Sequence, residues 1–336
     1  MSRYAQRRIQ EYGITAGTLG STAGQTVMVA LLPVFLAQYA PSAVWIGFAV
    51  AGEGIFAILV PYWTGYLSDH LHPTLARRFG RRTFFLLLTA PLMAAALTLA
   101  PFLRGYWPLA GAAFVFFAAL HGYLTPLWTL MIDAVPDQRR GRVHGVRGAL
   151  HAAGLGYGLV AGGLFFSLWP PLPFLLAGLL VLATTAITIL AVPPRARNLE
   201  LHEEAPAAAL QIWRELRQRP DIRRFLIANA LWTGAVDGIR PYIFLYAVLV
   251  LGISVAETSL VLSLLVVGLA IGAVALGHLG DRYGRSRLLQ AGALFTGLAM
   301  VLGMFVSDVP GAIALLLAAG LGAAALIALP YPLFAG

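Results

Sequence analysis

The sequence predicts an all-α integral membrane protein that crosses the bilayer many times, and three observations carry this. First, 336 residues at 59% hydrophobic and 11% charged, with mean hydropathy +0.80, are too apolar for a soluble globular domain. A soluble domain needs about a quarter of its residues charged to cover its surface. Second, the charge-free intervals are long: 12–52, 83–103, 105–132, 148–194, 258–280, 288–307 and 309–336. A spanning helix needs about 20 mostly apolar residues, and runs this continuous satisfy their backbone in lipid as helices. Third, the basic residues fall between those intervals, almost all of them in the loops of one side.

Ten spans follow in order. Spans 1 and 2, at 14–39 and 43–67, share the first charge-free interval and run on to the polar loop at Ser68-Asp69. Span 3, 83–103, lies between Arg82 and Arg104, and span 4, 107–132, between Arg104 and Asp133. The interval 148–194 is long enough for two helices and is broken by Pro170, Pro171 and Pro173, giving spans at 147–169 and 172–192. Spans 7 to 10 are 224–250, 255–279, 288–306 and 309–332. Between the sixth and seventh, residues 193–222 form the longest polar stretch, with a basic amphipathic helix around Leu210, Trp213 and Leu216 expected at the membrane surface. The expected organisation is a six-helix bundle over 1–192, a cytoplasmic loop over 193–222 and a second bundle over 223–336.

Orientation follows from arginine, which supplies all 23 basic residues. With the N-terminus inside, 21 of the 23 lie on the inner side; Arg104 is outside and Arg240 lies within a helix. This is the bias of the positive-inside rule. The head MSRYAQRRIQ is expected to be an uncleaved start and not a signal peptide.

Several chemistries are excluded. Without Cys there is no disulfide, thiolate metal site or attached haem, and without Lys there is no P-loop of the GxxxxGK[ST] type and no Schiff base. No helix carries paired histidines at haem spacing, and neither H-x-x-x-H nor GxSxG occurs. No cofactor or metal is expected. The pI of about 10.2 reports topology and not nucleic-acid binding.

Two inner loops repeat each other. The first reads Gly65-Tyr-Leu67-Ser68-Asp69, then an extra stretch, then Phe79-Gly80-Arg81-Arg82; the second reads Gly277-His-Leu279-Gly280-Asp281-Arg282-Tyr283-Gly284-Arg285. Gly80 and Gly284 are 204 residues apart, and Pro126-Leu127-Trp128 and Pro332-Leu333-Phe334 are 206 apart, so spans 1–4 recur as spans 7–10. In that register the counterpart of Asp133 falls just past residue 336, so the expectation is a chain holding ten of twelve helices, a truncated product or fragment.

These loops resemble the signature of the major facilitator superfamily, and Asp133-Ala-Val-Pro136 with Arg140-Gly141-Arg142 resembles the same family's motif after helix 4. The lengthened first loop looks like the glycoside–pentoside–hexuronide and sucrose-type symporters. The resemblance implies a major facilitator-type bundle in the bacterial cytoplasmic membrane that moves a small solute by alternating access. It also implies that Asp69 and Asp281, with Arg81, Arg82 and Arg285, form ion-pair latches that bias the inward-closed state. Asp133 with Arg140 and Arg142 would form a similar latch. Span 1 departs from acid-bearing relatives, because it offers only Ser21, Thr22 and Gln25.

Intramembrane charge points to a site. Asp237 and Arg240 are i, i+3 on span 7, and Gly238 and Pro241 weaken the same turn, so a broken helix is expected there with Arg240 holding the solute and Asp237 titrating. Glu53, mid-span 2 and unpaired in sequence, suits a proton carrier, and His121, mid-span 4, titrates near neutral pH. Gln25, Asn229, Trp232, Tyr242 and Tyr123 are further polar and aromatic groups for a cavity, whereas His151 reads as structural. Aromatic faces beside acids and amides suit sugars. The expected partners are a small solute, a proton and the lipid bilayer, and the expected state is a monomer without enzyme activity. The alternatives are a drug exporter of the same family, or a transporter-like sensor or degenerate product that moves nothing.

Overall fold

The computed structural model describes residues 10–192, 218–283 and 285–328, and these are helical with no strand among them. The helices are α1 (Gly17–Leu36), α2 (Ala43–Asp69), α3 (Arg81–Leu99) and α4 (Tyr106–Ala134). They are followed by α5, made of Asp137–Gly156, a π-helical turn Tyr157–Ala161 and Gly162–Leu168, then by α6 (Leu172–Ala191). The remainder is α7 (Pro220–Leu249), α8 (Val255–Tyr283), α9 (Arg285–Gly303) and α10 (Val309–Ala328). Among the described residues, six helices are long and apolar enough to cross a membrane, those of α1 to α6. The amphipathic segment around Leu210 and the Pro332 end of the repeat lie outside the described residues.

The surface suits hydrocarbon. Phe48, Ile55, Ile58 and Leu59 of α2 are each more than half exposed, which would drive aggregation in water and is the natural face toward lipid. At one end of α2 and α4, Trp45, Tyr106 and Trp107 stack edge to face at 5.2–5.7 Å, and the Tyr106 hydroxyl donates to the Trp45 carbonyl, an amphipathic cluster of the kind found at membrane interfaces. Hydroxyls inside the apolar helices bond back four residues, as Ser21 does to Gly17 and Thr89 to Phe85, so they need no water.

Proline does not break these helices. Pro33, Pro61, Pro91 and Pro126 all lie inside α1 to α4. α7 likewise continues through Gly238 and Pro241 to Leu249, against the expected break. One proline removes a single backbone bond, and the bonds on either side hold the helix where neighbours support it.

Backbone contact divides the chain into two compact units. One comprises Met1–Gly154 with Phe174–Pro241, the other Leu155–Pro173 with Tyr242–Gly336, so α5 and α7 contribute to both. In the first unit, α4 lies against α2 and α3 around Phe116, Phe117 and Tyr123, all buried. Tyr123 bonds the Thr185 hydroxyl at 2.9 Å and is 1% exposed, so it belongs to the core and not to a cavity. Tyr123→Phe is expected to cost about 1 kcal/mol, the net worth of one buried neutral hydrogen bond, read as a lowered unfolding midpoint in detergent. In the second unit α8 packs closely on α10. A capping box starts α8: Ser254 N–H donates to Glu257 Oε2 at 2.9 Å, and Glu257 N–H donates to Ser254 Oγ at 3.2 Å.

Candidate functional site

The first unit brings together three of the residues singled out from sequence. Gln25 on α1 donates from Nε2 to Glu53 Oε1 on α2 at 2.5 Å, and His121 Nε2 on α4 stands 3.9 Å from the same oxygen. Their chain separations of 28 and 68 residues made this pairing invisible in one dimension. The Glu53 and His121 side chains are 20% and 13% exposed. Glu53 lies roughly 15 Å along α2 from its start, and His121 is near the middle of α4.

Local packing sets this meeting. Gly52, next to Glu53, lies where a Cβ would strike the Phe114 ring of α4, so only a glycine lets α2 and α4 approach so closely. Phe114 in turn sits between Phe48 and Phe56 of α2, with ring centroids at 5.9 and 5.8 Å. The polar contacts of the site thus rest on an apolar seam.

Chemically, the group is a carboxylate, an imidazole and an amide. At 3.9 Å Glu53 and His121 are beyond a direct hydrogen bond, and His121 Nε2 is buried with no hydrogen-bond partner among the described residues. Polar groups continue along the adjoining faces. Thr125 follows His121 by one turn and bonds its carbonyl, and Trp128 lies a further turn on, with the Arg147 guanidinium of α5 at 6.0 Å from its ring centroid. On α1, Thr22 Oγ1 meets His151 Nδ1 of α5 at 3.0 Å. Sequence alone assigned Arg147 to the inner loop charges and His151 to structure; the periodicity of α4 and α1 was the signal that ties both to this face.

A second cluster forms where α2 and α4 end. Arg82 Nη1 lies 2.8 Å from Asp69 Oδ1 and donates to Ser68 Oγ at 3.0 Å, while Arg82 Nε reaches Asp133 Oδ2 at 3.5 Å. The Asp69 contact is misaligned for a hydrogen bond and acts as charge attraction. The partner of both acids is therefore Arg82; Arg81 starts α3 without an ion pair among the described residues. Gly80 directs this, because at φ +79° it turns the chain sharply between the short helix Pro73–Phe79 and α3. That short helix is the extra stretch of the first loop. Gly65 has open space around it inside α2. At the same end Glu11 pairs with Arg139 at 2.8 Å. Asp69 and Asp133 thus share Arg82 within the first unit.

Asn229, Trp232, Asp237 and Arg240 lie on α7, and their side chains are outside those described, as are the side chains of Arg140, Arg142, Gly277, Asp281 and Arg285 and the whole of Gly284. Among the described residues no group of three His, Cys, Asp or Glu could hold a metal ion.

A family model described as Major Facilitator Superfamily matches residues 14–336. Among solved structures, the fold resembles a bacterial homologue of the human lysosomal transporter Spinster in an inward-facing, unoccupied conformation (TM-score 0.73, 15% identity, 99% of this chain and 75% of that one). It also resembles the nucleoside transporter NupG (0.72, 12%, 94% and 80%) and a D-xylose–proton symporter (0.62, 17%, 97% and 81%). No curated protein sequence matches the chain.

Proposed function

The chain belongs to the major facilitator superfamily, an integral multi-pass membrane protein of a transporter family, and on that premise we propose that it is a proton-coupled transporter of a small hydroxylated solute, a sugar or glycoside. In this reading helices α1 to α10 all span the bacterial cytoplasmic membrane, the N-terminus is cytoplasmic, and a monomer works by alternating access. The observation that carries the reading is the Gln25–Glu53–His121 cluster: a carboxylate well inside an apolar span, held by an amide and facing an imidazole. An intramembrane carboxylate is costly to keep charged, and a proton that it takes up and gives back accounts for its place there. The imidazole and amide supply hydrogen bonds suited to hydroxyls, and Trp128 offers an aromatic face beside them.

The proposal also assigns roles on α7, where Asp237 and Arg240 are i, i+3 in sequence, with Asn229 and Trp232 one to three turns earlier. Arg240 holds the solute and Asp237 serves as a second titrating group. Asp237→Asn is expected to shift the pH dependence of transport; uptake with an unchanged pH profile removes Asp237 from coupling. The Asp69–Arg82–Asp133 cluster and its repeat at Asp281 and Arg285 act as the gate.

The test uses the chain in liposomes that enclose a pH-sensitive dye, with an imposed pH gradient. Mono- and disaccharides are added first, then cationic drugs. Sugar-dependent proton influx supports the proposal. A signal with drugs only moves the protein to the exporters of its family, and silence with a folded protein favours a transporter-like sensor.

A further inference from the structure

We propose that His151 of α5 is a second proton-carrying group of the site, taking the proton that Glu53 releases and passing it to water on the cytoplasmic side. The inference rests on the proton-coupled reading above and assigns a role to a residue outside the cluster that carried it.

Three placements support it. Thr22 and Gln25 are i, i+3 on α1, neighbours on one face separated by roughly 4.5 Å of rise. Gln25 holds Glu53 at 2.5 Å, and Thr22 holds His151 Nδ1 at 3.0 Å. One helix thus carries adjacent side chains, each bonded to a different titratable group on a different neighbour. The third placement is the crossing of α1 and α5. Gly154 lies one turn after His151, and a Cβ there would come within 2.8 Å of the Leu19 carbonyl oxygen and the Thr22 Cβ. That close approach presses the first part of α5 onto α1 and fixes the ring of His151 against Thr22.

Depth and exposure fit the role. The apolar part of α5 begins at Val143, so His151 lies roughly 12 Å inside the span. Its residue surface is nonetheless exposed, whereas Glu53 and His121 are mostly covered. On its own helix, the charged and titratable groups near it among the described residues are Arg147, one turn earlier and stacked on Trp128 of α4, and His144, two turns earlier. α1, packed against it, has no charged residue along Gly17–Leu36. Arginine stays protonated, so it biases His151 without competing for the proton.

The step balances simply. The O–H bond of protonated Glu53 breaks, and its proton crosses a bridging water at the Gln25–Thr22 shelf to form an N–H bond on neutral His151. The imidazolium N–H then breaks toward inner water, restoring the neutral ring. Thr22 positions this ring: its hydroxyl donates to Nδ1 in one tautomer and accepts from Nδ1–H in the other.

The experiment compares two transport modes of the full chain in liposomes. Net sugar uptake driven by a pH gradient requires the proton to be discharged inside. Exchange of labelled for unlabelled sugar at equal pH does not, because the loaded carrier can return with its proton. His151→Gln is expected to leave exchange unchanged and slow net uptake about tenfold, with the deficit shrinking as the inner pH is raised. His151→Ala is expected to behave alike and to recover when imidazole is enclosed in the liposomes. Thr22→Val is expected to give a smaller loss of the same kind. Equal loss of exchange and net uptake, or no imidazole rescue, assigns His151 a structural role and overturns the proposal; so does unchanged net uptake in His151→Gln. Glu53→Gln is run in parallel. If it leaves proton-driven accumulation intact, the coupled reading itself fails, an outcome separate from any result at His151.

Discussion

Glu53→Gln is expected to abolish proton-driven accumulation while leaving the protein folded and exchange active. Gln and Glu have nearly the same shape, and a Gln at 53 still offers a carbonyl oxygen to Gln25 Nε2, so the 2.5 Å contact that joins α1 and α2 persists as a neutral bond. What is lost is the proton. Each unit of pH gradient is about 1.36 kcal/mol, so a gradient of about two units allows one coupled proton to concentrate a solute about a hundredfold. Without a group to carry that proton the ratio should fall to about one, read directly from the labelled solute inside and outside liposomes under a fixed gradient. Retained accumulation with an unchanged pH dependence would reject Glu53 as the carrier.

Gly272→Leu is expected to be the most damaging single change to the fold of the second unit. Gly268 and Gly272 stand four residues apart on α8, the spacing that lets two membrane helices touch backbone to backbone. A Cβ at Gly268 would lie 2.7 Å from the Leu317 carbonyl oxygen and 3.2 Å from Gly320 Cα; one at Gly272 would lie 3.0 Å from the Leu321 carbonyl oxygen and crowd Ala324. Helices in lipid gain no hydrophobic drive to associate, so this close contact is itself the source of stability. Leucine would force α8 and α10 apart at a cost of about 3 kcal/mol. Thermal unfolding in detergent should register a clearly lower midpoint. Gly297→Leu on α9, where the position is open, should leave the midpoint almost unchanged. Similar behaviour of the two variants would show that the α8–α10 contact contributes little.

Much of the fold was legible in the sequence because the bilayer imposes a local rule. An apolar run of about 20 residues must become a helix wherever it sits in the chain, so limits read from charge and proline alone fell within a few residues of α2, α4 and α6. The family was legible for a related reason: its loop motifs are contiguous, and Gly80 in particular states its own need, since a sharp turn at positive φ favours glycine. Proline misled at α7. Its cost was reckoned for an isolated helix, whereas α7 continues through Pro241 like the proline-bearing helices α1 to α4.

The site was legible as a set of parts and not as an arrangement. Intramembrane Glu53 and His121 stood out by rarity alone, but that Gln25 holds one and that both share an oxygen depends on the rotation of three helices about their axes. The same rotation chose Arg82 over Arg81 as the partner of Asp69 and Asp133, a difference of one residue and about 100° around α3. It also placed Tyr123 in the core and brought His151 to Thr22. Composition and local pattern therefore determined by themselves that this chain is a helical membrane protein of its family, because hydropathy and turn geometry act over a few residues. Which polar groups meet was decided only by tertiary structure, because it depends on how close two helices can come, and at Gly52 and Gly154 that distance is set by the absence of a single carbon.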